Sequence, residues 1–331
     1  MKAIIIRQFG LPEVLEVVSD YPRPGLQANQ VLLKVQAAGI NPLDCKIREG
    51  QLRLLQGAHF PIILGNDASG IVAEVGNAVT NFKIGDEVFG FLDANPRASW
   101  TGFAKSGTYA ELAVTRADTL ALKPRSMSHI EAASVPLAAL TTYQIFRQIG
   151  IKAGDKILIN GASGGVGMFA VQLAKAWGGT VTATCSERNR EMLASLGADR
   201  IVDYKEQPIT ALSGTFDVIY DVVMTTSFAE CRHILSQAGI FVSNANLTDP
   251  LNMLTTWLYP VLRVVGAKQR TGFAWVRPSG ADLETIVQMI EKGKIRTIVD
   301  RVYAMKEIRQ AHEYSESGRV RGKVVMDTTT G

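Results

Sequence analysis

Lys156-Ile157-Leu158-Ile159-Asn160-Gly161-Ala162-Ser163-Gly164-Gly165-Val166-Gly167 is the stretch on which the reading of the fold turns. Its opening residues form a buried-type strand, and a glycine cluster follows at once. Beyond the cluster, Val166, Phe169, Ala170, Leu173, Ala174 and Trp177 recur at helical spacing on one face. Val181-Thr182-Ala183-Thr184 then reads as a second strand, which makes a strand–turn–helix–strand unit. The uncharged run from Ile157 to Ala174 approaches membrane-spanning length. However, Asn160, Ser163, Gln172 and the glycines at 161, 164, 165 and 167 mark a turn between two elements, not one lipid-facing helix.

The alternation continues outward. Glu187 to Leu196 is predicted to be a helix closed by Gly197. Asp217–Val223 and Gly239–Val242 are predicted strands on either side of a helical stretch from Phe228 to Leu235. Alternating strands and helices imply a parallel sheet covered on both faces. The flanks differ. Val31, Leu33, Val35 and Ala37 alternate with Leu32, Lys34 and Gln36, the period of a half-buried strand. Gly70–Gly76 and Gly85–Gly90 are short β-rich runs bounded by glycine, which suggests a compact barrel or sandwich. Asp93 to Gly107 reads as a surface loop. After Arg263, Leu283, Ile286, Val287 and Ile290 mark an amphipathic helix, and Lys323-Val324-Val325-Met326 a last strand. The simplest architecture is a β-rich domain made from both ends of the chain, with a doubly wound domain inserted between them.

Composition narrows the function classes. The chain has 331 residues, 47% hydrophobic and 20% charged, enough for about two domains with a large core. Thirty-five basic residues face 31 acidic ones. The densest basic run, Arg319-Val320-Arg321-Gly322-Lys323, is short and lacks aromatics, so no nucleic-acid partner is expected. The apolar start, Ala3 to Ile6, is too short for the core of a signal peptide. Cys45, Cys185 and Cys231 are few, odd in number and far apart, which suits a reducing compartment. The expectation is a cytoplasmic protein with no membrane span.

The glycines are spaced G-x-x-G-x-x-G, where the common dinucleotide fingerprint has G-x-G-x-x-G. Alone this is a weak signal, because a glycine turn can exist simply to pack a helix on a strand. Set between a strand and a helix, it points to a dinucleotide site. Ser163, Gly164, Gly165 and Val166 would let the backbone and the helix N-terminus approach a pyrophosphate. Cofactor choice falls to the end of the next strand, Thr184-Cys185-Ser186-Glu187-Arg188. The strand end is neutral, so Ser186 and Arg188 are expected to hold a 2′-phosphate, which selects NADPH. The alternative is that Glu187 binds the ribose and Arg188 is simply solvated.

Gly39-Ile40-Asn41-Pro42-Leu43-Asp44, Leu64-Gly65-Asn66-Asp67-Ala68-Ser69-Gly70-Ile71-Val72 and Gly161–Gly167 resemble the medium-chain dehydrogenase/reductase superfamily, in order and spacing over essentially the whole chain. Ala183–Ser186, Leu196–Asp199 and Val202–Lys205 are similar to its zinc-independent quinone oxidoreductase and enone (alkenal) reductase branch. The resemblance implies an α/β fold with a GroES-like β-rich catalytic domain at 1–125 and 264–331. The doubly wound Rossmann domain that binds NADPH would span 126–263. It implies that Asn41 and Thr141 contact nicotinamide and ribose, that Tyr204 packs near the adenosine phosphate, and that the protein is a homodimer.

The positions matching the catalytic zinc ligands of other branches are Asn41, Asn66 and Ala138, which cannot form a zinc site. No metal is expected. The region matching the structural-zinc lobe, Phe91–Gly107, has no cysteine, and the four histidines are expected to be structural or on the surface. Hydride transfer to a conjugated acceptor then needs only a hydrogen-bond donor or cation at the developing oxyanion, followed by a proton. Lys46 is the candidate donor, oriented by Asp44 and accompanied by Asn41. Lysine here resembles the enone reductases, whereas the zeta-crystallin-like quinone reductases carry a tyrosine at Lys46 and an aromatic at Leu52. A surface lysine is the competing reading. Trp257, Tyr259 and Trp275 could line an apolar pocket, or serve core or oligomer contacts. The expected function is NADPH-dependent, zinc-independent reduction of quinones or of the C=C bond of α,β-unsaturated carbonyls, with hydride crossing a cleft between the domains. The alternatives are an NADP-binding protein with vestigial catalysis, or an alcohol-dehydrogenase-like enzyme acting on another substrate.

Overall fold

The structure, a computed structural model, describes residues 1–53, 59–93, 107–244 and 268–330. Trp257, Tyr259 and most of the predicted 93–107 loop lie outside the described residues. The chain opens with β1 (Ala3–Ile6), β2 (Glu16–Val18), β3 (Gln30–Ile40), α1 (Pro42–Arg48), β4 (Ile62–Ile63), β5 (Asp67–Val75), β6 (Glu87–Phe91), β7 (Leu112–Arg116) and β8 (Leu120–Leu122). The middle holds α2 (His129–Ala133), α3 (Pro136–Ile149), β9 (Lys156–Asn160), α4 (Gly165–Ala176), β10 (Thr180–Cys185), α5 (Arg190–Ser195), β11 (Arg200–Asp203), β12 (Phe216–Asp221), α6 (Phe228–Cys231), β13 (Leu235–Asn244) and β14 (Arg270–Ala274). The end adds α7 (Gly280–Glu291), β15 (Val299–Ala304), α8 (Ile308–Glu316) and β16 (Lys323–Asp327).

Two compact units result. One comprises Met1–Leu140, Arg277–Gly293 and Thr297–Gly331, and the other Thr141–Val276 and Lys294–Arg296. The first break falls inside α3, later than the expected 125/126. The expected 263/264 break lies outside the described residues, and the unit extends to Val276 because β14 joins its sheet. Lys294–Arg296 belongs with the second unit: Gln172 on α4 donates to the Arg296 carbonyl and accepts from its N–H.

The second unit is a six-stranded sheet in the order β11-β10-β9-β12-β13-β14, parallel throughout. Numbered from β9, that is the Rossmann order 3-2-1-4-5-6, with the reversal between β9 and β12. Buried Leu158, Ile219, Phe241, Phe216 and Leu235 pack one of its apolar clusters. Here the structure differs from prediction in detail. The Glu187–Leu196 helix begins as a 3₁₀ turn at Glu187–Asn189 before α5, and Gly197 closes it at φ +96°. The predicted helix ending at Leu235 stops earlier, because β13 already begins there beside Phe216 of β12.

The first unit has a seven-stranded sheet in which β15 and β16, from the chain's end, join β3, β5, β6 and β8, with β7 also paired to β3. A separate three-stranded sheet runs β2-β1-β4. Val31, Leu33, Val35, Ala68, Val72, Val88 and Ala113 are all buried in one cluster, which is where the period-two pattern of β3 puts its alternate side chains. Strand β16 pairs antiparallel with β3, bringing Val324 opposite Ile40, and β5 brings Asp67 opposite Gly39. A side chain on Gly39 would strike the Ala133 carbonyl, so glycine lets β3 approach α2.

Candidate active site

The glycine loop lies at the carboxyl end of β9, at the strand-order reversal where ligands bind in open α/β sheets. Its glycines have separate jobs. Gly161 sits at φ +80°, and Gly167 carries α4 so close to Gly161 and Ala162 that a β-carbon would strike backbone. A β-carbon on Gly164 would meet nothing nearer than the Gly161 carbonyl at 3.8 Å, so this position leaves room. Ser163, Gly164, Gly165 and Val166 are half-buried around the start of the twelve-residue α4, whose free N–H groups favour an anion.

A buried polar cluster that the sequence did not advertise shapes this loop. Thr184 Oγ1 donates to Asn160 Oδ1 at 2.6 Å and accepts from the Gly161 N–H at 3.1 Å. Asn160 Nδ2 donates to Asp221 Oδ1 at 2.9 Å, joining the ends of β9 and β12. Asp221 Oδ2 in turn accepts from the N–H and hydroxyl of Thr226.

At the end of β10, Ser186 is half-buried and Arg188 exposed. The Glu187 carboxylate takes two hydrogen bonds from Arg190 Nε, at 2.9 and 2.8 Å. Asp203, the nearest acid on β11, accepts from the N–H groups of Glu187 and Lys205, so its carboxylate serves the local turn. Tyr204 is 53% exposed. Thr141 is buried and is the first residue of this unit.

In the other unit, α1 starts after Asn41 and places Asp44 in a buried network. Asp44 Oδ2 accepts from the Asn41 N–H at 2.8 Å and the Tyr109 hydroxyl at 3.2 Å. Its Oδ1 lies 2.6 Å from the carboxamide of Asn66. Asn41 Nδ2 donates to Asp67 Oδ2 at 3.0 Å, and Asn41 Oδ1 accepts from Lys323 Nζ. Asp67 Oδ1 takes the N–H of Leu137 in the first turn of α3, a position that favours a carboxylate. Lys323 Nζ is also 3.5 Å from Asp67 Oδ2. Burial pushes both carboxyls up. On Asp67 the Lys323 charge and the donors of Asn41 and Leu137 oppose that rise. On Asp44 desolvation is the main cause and the Asp67 charge adds to it, so its pKa reaches about 7.

The family follows from comparison with known proteins. Residues 27–125 match the alcohol dehydrogenase GroES-like domain and residues 196–326 the zinc-binding dehydrogenase family. A chloroplast envelope quinone oxidoreductase homolog of Arabidopsis thaliana is 34% identical over 92% of each chain. The chloroplastic NADPH-dependent alkenal/one oxidoreductase of the same plant is 31% identical over 98% of this chain and 79% of its own. Among solved structures, the quinone oxidoreductase from Coxiella burnetii has a TM-score of 0.87 and 35% identity, over 99% of both chains. The chain belongs to the medium-chain dehydrogenase/reductase superfamily, in its quinone and enone oxidoreductase branch. This oxidoreductase therefore combines a GroES-like unit with a Rossmann unit for a nicotinamide cofactor.

The name of one matching family implies zinc, and the residues of this reductase do not fit it. Asn41 and Asn66 are amides bound into the network, Ala138 is a buried methyl, and an ammonium, Lys323, already bonds Asn41 and Asp67. Zinc needs thiolates, imidazoles or carboxylates. Among the described residues no three histidines, cysteines or acids stand close enough to hold a metal ion.

The structure corrects one expected pairing. Asp44 does not orient Lys46: residues two apart on a helix point to different faces, and the Asp44 oxygens face Asn41, Tyr109 and Asn66. Lys46 itself is half-buried, and burial lowers its pKa. Asn41 is engaged at both ends of its carboxamide, which leaves one amide hydrogen for a ligand. Asp67, Tyr109 and Lys323 were missed by the sequence reading. For Asp67 and Lys323 the trace was polarity at positions where a buried strand would be apolar.

Proposed function

We propose that this oxidoreductase is NADPH-dependent and zinc-independent, and that it reduces quinones or the C=C bond of α,β-unsaturated carbonyls. The observation that carries the proposal is the network at Asn41, Asn66, Asp67 and Lys323, which offers amides and an ammonium where related enzymes supply zinc ligands. Such groups suit acceptors whose negative charge is already spread by conjugation. When bound, the reduced nicotinamide supplies the hydride. In an enone the hydride bonds to the β-carbon, and the C=C electron pair shifts to leave the charge on the carbonyl oxygen. A proton then adds to the α-carbon. Lys46, whose burial lowers its pKa, is the proposed proton donor. Ser163, Gly164, Gly165 and Val166 bind the pyrophosphate, Asn41 and Thr141 are the contacts for nicotinamide and ribose, and Tyr204 packs near the adenosine phosphate.

NADPH is favoured because Glu187 is held by Arg190 and Asp203 caps its turn, which supports Ser186 and Arg188 as the residues that meet the 2′-phosphate. The proposal keeps a cytoplasmic homodimer. All three cysteines are buried and free, as a reducing compartment allows, and among the described residues no helix is long and apolar enough to cross a membrane. The test is NADPH oxidation with 2-cyclohexenone, an alkenal series and 1,4-benzoquinone. Turnover with a conjugated acceptor is expected. Tight NADPH binding with no turnover on any of them would favour the vestigial reading instead.

A further inference from the structure

Asn66 is 1% exposed, yet one end of its carboxamide finds no hydrogen-bond partner among the described residues. Its other end lies 2.6 Å from Asp44 Oδ1. The two ends of a carboxamide have the same shape, so the surrounding network decides which atom faces which neighbour. At Asp44 the accounting is specific. Oδ2 already accepts from the Asn41 N–H and the Tyr109 hydroxyl, while Oδ1 faces Asn66 alone. Two fully buried carboxyls, Asp44 and Asp67, share one buried ammonium, Lys323, and that ammonium contacts Asp67. Asp67 also holds the start of α3. A proton on Asp44 Oδ1 can be donated to the Asn66 carbonyl once that carboxamide is turned over. The NH₂ of Asn66 then becomes the buried, unpartnered end. A second buried oxygen without a partner among the described residues, Thr108 Oγ1, lies against Gly65, the residue preceding Asn66.

We propose that Asn66 is the hydrogen-bond donor for the carbonyl oxygen of the conjugated acceptor, with its NH₂ held away from the neutral carboxyl of Asp44. The inference rests on the reductase reading above. Asn66 is the catalytic residue and Asp44 a positioning residue. Ionisation of Asp44 reverses the device: the carboxylate draws the Asn66 NH₂ inward and turns the amide oxygen toward the developing negative charge. Because Asp44 is raised to about 7, the donor orientation holds below that pH and is lost above it. The charged and titratable groups facing Asp44 are Asp67 on β5, Lys323 on β16, Tyr109 before β7 and its neighbour Cys45. Burial raises both Tyr109 and Cys45, so they stay neutral through this range. His312, across the Tyr109 ring, is lowered to about 3 and stays neutral too.

The experiment measures steady-state reduction of 2-cyclohexenone by the whole enzyme against pH, alongside infrared titration of the carboxyl band. Asn66→Ala should lower kcat by about 10²-fold, the loss typical of one oxyanion donor, with the KM for NADPH in place. The wild type should lose turnover as pH rises through about 7, and Asp44→Asn should abolish that alkaline fall because its amide cannot ionise. A neutral-carboxyl infrared band should titrate in the same range and vanish in Asp44→Asn. Wild-type kcat in a folded Asn66→Ala overturns the proposal while leaving the reductase reading intact. If Asn66→Ala does not fold, a retained alkaline fall in Asp44→Asn overturns it. A wild type inactive on every acceptor overturns the reductase reading and the donor role together.

Discussion

Arg188 is the side chain on which the proposed cofactor choice turns. The strand end before it is neutral, and Glu187, the acid that follows it, is paired with Arg190. Replacing Arg188 by Ala should therefore weaken NADPH by about 10- to 100-fold, the worth of a charge-assisted hydrogen bond, while NADH binding hardly changes. Fluorescence titration with both cofactors checks this, and equal losses would refute the 2′-phosphate role. Ser186 and Arg188 could be nominated from the sequence because residues at a strand end are local in the chain. Lys323 was not, since its partner Asn41 lies 282 residues away. A lysine opening a β-rich run carries no sign of the carboxylate it will meet.

At the scale of elements, α1 is the piece that matters most, since it carries Asp44 and Lys46. Arg48 on its last turn is fully buried and pins it. Arg48 Nε donates to the Gly10 carbonyl at 3.0 Å, Nη1 to His312 Nδ1 at 3.1 Å, and Nη2 to Glu316 Oε1 at 2.6 Å. Those partners sit on α8 and on the turn before β2, so α1 is fixed by contacts far along the chain. Arg48→Met should destabilise the protein by about 3 kcal/mol, near the low end for a broken buried pair because Glu316 is 30% exposed. Urea unfolding reads this as a lower midpoint at unchanged slope. A shift worth under about 1 kcal/mol would mean the pair is replaceable by packing. From the sequence, Lys46 was set beside Asp44, but no element was assigned to Pro42–Arg48. The β–α alternation of the Rossmann unit was legible because each element carries its own period. The short 3₁₀ turns and β14 were not, since the neighbouring strand decides them.

For the whole molecule, the discontinuous first unit depends on its last strand. Strand β16 lies between β15 and β3, with Val325 and Met326 fully buried, and it brings Lys323 to Asn41 and Asp67. A chain ending at Gly322 should lose that sheet's continuity and the ammonium balancing Asp67 together. Near-ultraviolet circular dichroism should show lost tertiary packing, and limited proteolysis should cut the first unit. A truncated chain with native melting would contradict this account. By itself the sequence determined the two kinds of unit, the glycine loop, the neutral strand end on which the proposed cofactor choice rests, and the amides at Asn41 and Asn66. Each of these is written in local periodicity or in the chemistry of single positions. Only the tertiary structure decided that Asp44 faces Asn66 instead of Lys46, and that one lysine from the chain's end serves two buried carboxyls. Buried charges are balanced in space, by whichever residues the sheet brings together, and chain order holds no record of that balance.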